Sequence, residues 1–557
     1  MTMIKNNNFK KFIGIILIIT VLIAPVSCSG NGKENVGEEN YFVKAAWYFG
    51  REWPLNFWNS EWEHLDEDLQ TIKEDGFNTV MLAVPWGEFQ TGIEPIQYNE
   101  KAWERLRYII ERCDEFELNV VLRIGYYWDF DADDQYPLLQ RYEGLLRGEE
   151  KFMTAWLDYV GKFQSLNTEY SNLSGSLICW EDFWAVYHEY SSAGKEQEER
   201  KRLAQESGFI QYLKDTFSLD EVSQYYQEED LTRYEDAVMP QDGDYAMELF
   251  NRFFDDILIH KILLPSQEIY PKLGMEVRTD ADVVYGADGE AEWYFHTETY
   301  PAGNAPYATS IYGIPMGFEN NGEKVSAEEA IEKFDYMIET IQEAADGKPL
   351  FIDQFIFVDN TPGFENNAQV REDELDDFLM ESADILVEET CGYALWTYRD
   401  YKMNDLYNSQ FELDLKGWRT AGDCRIEEVD GNKKVKIEKG GSISQENIMY
   451  PLQETEYKLS FSVIPDESAT VKIEIGEHEE EIEITEAGDY EVELGALKEK
   501  DLKITIEEGS AYLDNINLYY AVQNGQVYDE DMGALELADE VRAMNQKIDT
   551  LLAERNK

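Results

Sequence analysis

The chain has 557 residues, enough for two to four domains with full cores. Its formal net charge of −66, from 114 acidic against 48 basic side chains, argues against nucleic acid, anionic membrane surfaces and polyanionic glycans as partners, because the overall field repels them. Five cysteines (Cys28, Cys113, Cys179, Cys391 and Cys424) and five histidines form no disulfide framework, zinc spacing or EF-hand loop, so no metal or other cofactor is expected.

The N-terminus reads as a targeting segment. Lys5, Lys10 and Lys11 precede an apolar run of 12 residues, 12–23, too short for a comfortable membrane span. Ala24-Pro25-Val26-Ser27-Cys28 then resembles a bacterial lipoprotein signal, with Cys28 as the lipidated residue. An ordinary secretory signal and an N-terminal anchor are the alternatives. All three place the body outside the cytoplasm, touching the membrane only through this end. Residues 1–28 are assigned to the signal and 29–40 to a polar tether.

From Val43 onward strands and helices alternate. Apolar strands are predicted over 43–50, 78–86, 119–128, 177–180, 275–282, 308–315, 349–355 and 391–398. Helical spacing appears over 62–75, 100–117, 151–167, 326–345 and 371–389, with Ser326 as a cap. Eight strands fed by helices match the count of a closed (β/α)8 barrel over residues 41–405. The alternative, a doubly wound open sheet, normally carries a Gly-rich phosphate turn, which is missing here.

In such a barrel the site lies at the C-terminal strand ends. Those ends carry Trp47, Trp86, Glu88, Arg123, Trp128, Glu181, Asp182, Asp280, Tyr312, Asp353, Gln354, Trp396 and Asp400. Trp180-Glu181-Asp182-Phe183-Trp184 after the fourth strand is the most concentrated group. Carboxylates among aromatic rings suit a proton donor and sugar rings. Trp47, Trp86, Trp128, Trp180 and Trp396 are candidate sugar platforms. Arg123 is a candidate for holding a hydroxyl or a carboxylate, or for an inward ion pair. Tyr312 is a candidate partner of a strand-seven carboxylate. Asp280 and Asp282 are better placed on the surface.

The order of strands, the acid ending strand four, the polar pair ending strand seven, the segment Phe209–Val222 with Tyr234–Pro240 and Phe250–Phe254, and Trp396 together resemble clan A glycoside hydrolases, most nearly the family 42 type. The resemblance covers about residues 42–405 and implies a carbohydrate substrate with no cofactor. It puts Glu181 in the acid/base role, with Asp182 as the spare. At the nucleophile position the chain has Gln354 where such families have Glu, and an amide cannot attack as a carboxylate does. Three readings stay open: Asp353 is the nucleophile, no covalent intermediate forms, or the site is a binding remnant. Strand alternation sends Asp353 and Gln354 to opposite faces unless a bulge intervenes. A retaining pair predicts carboxyls about 5–5.5 Å apart, an inverting pair roughly 6.5–9.5 Å. The expected activity is hydrolysis of a neutral glycan, with a catalytically inactive glycan-binding lipoprotein as the alternative.

Residues 406–521 change to short alternating strands, predicting a β-sandwich. "Asn-x-x-Phe-Glu … Gly-Trp" and "Leu-Asp-Asn-Ile-x-Leu" resemble jelly-roll carbohydrate-binding modules. In 522–557, Leu537, Val541, Met544, Ile548 and Leu551 follow helical spacing. Since no helix follows strand eight, this segment is expected to return to the barrel as its eighth helix, with a short coiled coil as the rival. The fold class expected is α/β: a TIM-type barrel with an inserted or appended β-sandwich and a C-terminal helix.

Overall fold

The computed structural model describes residues 35–557 apart from 39–40, 61, 63, 131–135, 192–194, 228–230, 242, 279–282, 314–322, 361–368, 447–454, 498–500 and 556. Cys28, Asp280, Asp282 and the signal segment lie outside the described residues.

Eight parallel strands close a barrel: β1 (Val43–Trp47), β2 (Thr79–Pro85), β3 (Asn119–Tyr126), β4 (Leu173–Cys179), β5 (Gly274–Val277), β6 (Ala308–Gly313), β7 (Leu350–Ile356) and β8 (Thr390–Leu395). Each neighbours its successor, and β8 pairs with β1 to shut the ring. Most of these strands are buried along their whole length, as a sheet covered on both faces requires. Helices cover the outside: α1 (Leu65–Glu74), α2 (Glu100–Glu115), α3 (Glu150–Glu169), α4 (Met247–Ile257), α5 (Ala327–Ala344) and α6 (Leu375–Glu389). Asn99 caps α2, accepting from the Ala102 amide at 3.3 Å, and Ser326 caps α5, accepting from the Glu329 amide at 3.2 Å.

The strand–helix alternation breaks after β5. A short hairpin, Val283–Tyr285 with Ala291–Trp293, and turns lead to β6, and no helix occurs there among the described residues. The sequence between Asp282 and Tyr307 carries no helical apolar stripe, consistent with that.

The chain leaves the barrel at β9 (Tyr401–Asn404), which pairs antiparallel with the end of the last long strand, β10 (Leu502–Val522). Exit and return thus form one two-stranded stem, and the β-region is an insertion. Its nine antiparallel strands are joined into one hydrogen-bonded sheet. In the long strand Glu456–Ile475 alternate residues are buried on both halves, with an exposed break around Asp466–Ser468.

After the stem, Gln526 donates its amide to Thr397 O at 2.9 Å, and α7 (Ala538–Arg555) packs against α6. Val541, Met544 and Ile548 are its buried stripe. Buried Asn545 accepts from Tyr393 Oη at 2.7 Å and donates to Asp75 O at 3.0 Å. Lys44 on β1 donates to Asp549 at 2.5 Å. The helix therefore fills the gap between α6 and α1 and is the eighth of the ring by position. Deleting residues 531–557 is expected to abolish the cooperative thermal melt followed by circular dichroism. A melt retained with only a change in oligomeric mass would assign this helix to self-association instead.

Candidate functional site

Glu181 lies in the turn Trp180–Phe183 directly after β4, so the end of the strand delivers it to the mouth of the barrel. Two guanidiniums hold it. Arg278 Nη1 donates to Oε1 at 2.7 Å, and Arg123 Nη1 lies 2.9 Å from Oε2. Its side chain keeps 21% exposure. Burial alone would raise its pKa, but Arg278 and Arg123 outweigh that and hold Glu181 below the usual carboxylate range. An acid/base donor needs a raised pKa, so the charge state runs against the role expected of Glu181.

Asp182 is 1% exposed and faces inward. Arg123 donates to it twice, from Nε at 3.1 Å and from Nη2 at 2.6 Å, and the Tyr127 amide adds a third bond at 3.1 Å. Burial raises its pKa to about 6 against the pull of Arg123. Asp182 is thus the anchor of Arg123 rather than a spare acid. Arg123 spans both acids, the inward ion pair considered from the sequence.

On the opposite wall β7 contains a bulge. Ser310 pairs with Ile352 and Ile311 with Gln354, so Asp353 is skipped. On the other side the register slips between Ile352 and Phe355. A bulge re-aims the side chains next to it, and both Asp353 and Gln354 meet interior groups. Asp353 is fully buried. Its Oδ1 accepts from Thr309 Oγ1 at 3.1 Å, and its Oδ2 has no hydrogen-bond partner. Gln354 is 4% exposed and lies against Glu181, though its Nε2 makes no bond of full geometry.

Beside Asp353 sits Glu276 of β5, in cross-strand register with Thr309. Glu276 is buried, accepts from the Cys179 thiol, and leaves Oε1 without a partner. Burial, reinforced by the charge of Asp353, pushes its pKa well above the usual range. Burial likewise raises Asp353 to about 7, against Arg123. The folded barrel therefore keeps the Asp353 proton where an unfolded carboxyl, near pH 4, has released it. The stability from this group is full at low pH and is lost as pH rises toward about 7. Asp353→Asn should flatten the fall in urea midpoint between pH 5 and 8; an unchanged slope would mean Asp353 is ionised throughout.

The aromatic candidates divide. Trp47 donates from Nε1 to Asp353 O at 2.6 Å and meets Trp396 edge-on at 5.1 Å, with Trp53 5.6 Å from Trp396. Trp396, 8% exposed, and half-buried Trp53 lie at the mouth, whereas Trp47 is itself buried at 1% exposure. Trp128 is half-buried near Phe130, Leu55 and Tyr407. Three others are sealed in packing. Trp86 bonds Gln90 and packs on Tyr142 and Trp156. Trp180 is enclosed by Trp184, Tyr187 and Phe254. Tyr312 points to the helix layer, onto Phe334 and Phe378, and donates to Ala330 O at 3.2 Å, away from strand seven's acids. As placed, none of these three presents a face to a ligand. Glu88 is buried under Tyr407, which donates to it at 3.0 Å, and Asp400 accepts from the Gly525 amide at 2.6 Å.

Arg278, Glu276, Cys179 and Thr309 escaped the sequence reading. The usable signal was the charged pair Glu276 and Arg278, two apart, at the end of an apolar strand, where period-two alternation puts both on one face.

No protein-family model matches the chain, and no curated protein matches it. Among solved structures it is similar to the exo-β-1,4-mannosidase Op5Man5 from Opitutaceae bacterium strain TAV5, with 12% identity over 68% of this chain and 56% of that one and a TM-score of 0.37. The match thus spans just over half of that enzyme. It is also similar to GH5_18 from Bifidobacterium longum subsp. longum ATCC 55813, with 12% identity over 65% of this chain and 71% of that one and a TM-score of 0.38. TmCBM61, in complex with β-1,4-galactotriose, matches 21% of this chain and 97% of its own length at 18% identity, with a TM-score of 0.17. At such TM-scores these likenesses carry nothing about the reaction.

Proposed function

We propose that the chain is a carbohydrate-active barrel of the clan A glycoside hydrolase kind, closest to the family 42 type, acting on a neutral glycan with Glu181 as the carboxylate that meets the sugar. The observation that carries this reading is the setting of Glu181: a half-open acid at the mouth of a closed parallel barrel, fixed by two guanidiniums and flanked by the strand-seven bulge. An ionised carboxylate there would stabilise the positive charge that develops at the anomeric carbon. The two guanidiniums are balanced by Glu181 and Asp182, so the site offers no surplus charge and suits an uncharged sugar. The charge states are the reverse of those the expected roles need: Asp353, not Glu181, is the acid whose environment favours the protonated form.

A second reading, glycan binding without turnover, is favoured by Gln354 standing at the nucleophile position and by the complete burial of Asp353. Neutral aryl glycosides and polysaccharides assayed with wild type, Glu181→Gln and Asp353→Asn separate the two. Turnover by wild type that falls in Glu181→Gln supports hydrolysis. Binding without turnover in all three supports the second reading, and neither binding nor turnover refutes both. The N-terminal segment adds export and lipid anchoring through Cys28 to the reading. Palmitate labelling that persists in Cys28→Ser would sink that part.

A further inference from the structure

Inside the barrel, four neighbouring strands contribute to one buried polar group. Cys179 at the end of β4 is in register with Glu276 on β5, and Glu276 with Thr309 on β6. Thr309 in turn reaches Asp353 on β7. In a barrel of eight parallel strands, alternate strands send side chains into one layer, and β5 and β7 are alternate strands. Glu276 and Asp353 are both fully buried. Each carboxyl has one oxygen satisfied and one unmet. The Cys179 thiol donates to Glu276 Oε2 and the Thr309 hydroxyl to Asp353 Oδ1 at 3.1 Å, while Glu276 Oε1 and Asp353 Oδ2 meet no donor. Arg123, the cation whose field reaches both, gives its hydrogen bonds to Asp182 and Glu181 instead.

Ionised carboxylates only accept hydrogen bonds, so two of them cannot satisfy each other. One proton changes that, because it turns one unmet acceptor into a donor for the other. We infer that Glu276 and Asp353 hold one proton between them, in a hydrogen bond linking Glu276 Oε1 to Asp353 Oδ2, which makes Glu276 a positioning residue for Asp353. The surroundings favour this. Burial raises the Glu276 pKa and the charge of Asp353 raises it further, while burial raises Asp353 to about 7. Two like charges in one dry layer do not both ionise. The other charged and titratable groups acting on the pair are Arg123 from β3, and Cys179 and Glu181 from β4 and its turn. Tyr307, just before β6, also feels the charge of Asp353. Holding one proton, the pair adds one negative charge to this interior rather than two.

This pairing deepens the function proposed above, in which Asp353 is the acid that favours the protonated form, and it is tested without any sugar, so a failure of hydrolysis leaves the test intact. An unfolded pair releases its protons near pH 4. A folded pair that keeps one loses stability as pH rises above that, by up to about tenfold in the folding equilibrium per pH unit. Glu276→Gln puts an amide where the shared proton was: its nitrogen can donate to Asp353 and its oxygen accept from Cys179. Glu276→Met fills similar space with no donor. Urea midpoints of the full chain between pH 5 and 8 are compared for wild type, Glu276→Gln, Glu276→Met, Asp353→Asn and the double variant Glu276→Gln/Asp353→Asn. The wild-type midpoint should fall with rising pH. Glu276→Gln and Asp353→Asn should each remove most of that fall, and the double variant no more than either alone. Glu276→Met should keep the fall, since buried Asp353 must then hold a proton of its own. A wild type without the fall, or a Glu276→Gln that retains it, overturns the inference. So does its removal by Glu276→Met as fully as by Glu276→Gln, or a double variant that removes the sum of two separate falls.

Discussion

Arg123→Met is expected to destabilise the chain by about 3–5 kcal/mol, the cost of breaking a buried ion pair by removing one partner. Arg123 and Asp182 are each 1% exposed, so water cannot replace the lost guanidinium. Asp182 would keep only the Tyr127 amide, and its carboxylate would have to protonate or remain charged in the core. The double variant Arg123→Met/Asp182→Leu removes the stranded charge together with its partner and should recover much of the loss. Urea unfolding of the three proteins measures this. Equal loss in the single and double variants would mean that Arg123 matters through packing and not through Asp182.

Glu181→Gln is the second large effect. It keeps the shape and removes the charge, so Arg123 and Arg278 would no longer face an anion. Loss of one preorganised charge-stabilising group lowers turnover by about 10²–10³-fold. Glycan affinity should change far less, since an amide still accepts hydrogen bonds. The fold should survive, because Asp182 continues to satisfy Arg123 and the Glu181 side chain is partly open to water. Initial rates and calorimetry on one glycan separate the two effects. A parallel loss of affinity and turnover would place Glu181 in ground-state binding instead.

The barrel was legible because its strands are apolar runs bounded by helices with clear stripes, and Ser326 sits at a helix start as the physics of capping demands. The return of the last helix was legible from a deficit: strand eight has no helix before the alternating strands begin. Other features were hidden. Alternation alone sends Asp353 and Gln354 to opposite faces; only the pairing of Ser310 and Ile311 across the bulge shows that both meet interior groups. Strands buried on both faces give aromatics no sidedness in the sequence. Tyr312 and Trp86 therefore read like Trp47, although they pack outward against helices. The charge on Glu181 was equally hidden. Its aromatic neighbours suggested a raised pKa, while the second guanidinium comes from Arg278, nearly a hundred residues away in sequence and silent until the strands close.

The most direct measurement is a crystal structure of Glu181→Gln soaked with a neutral oligosaccharide that the wild type binds or cleaves. A sugar ring is expected at the barrel mouth, in contact with the side chains at positions 181 and 354 and close to Trp396. A mouth without sugar, or a ring held only elsewhere on the molecule, would contradict it.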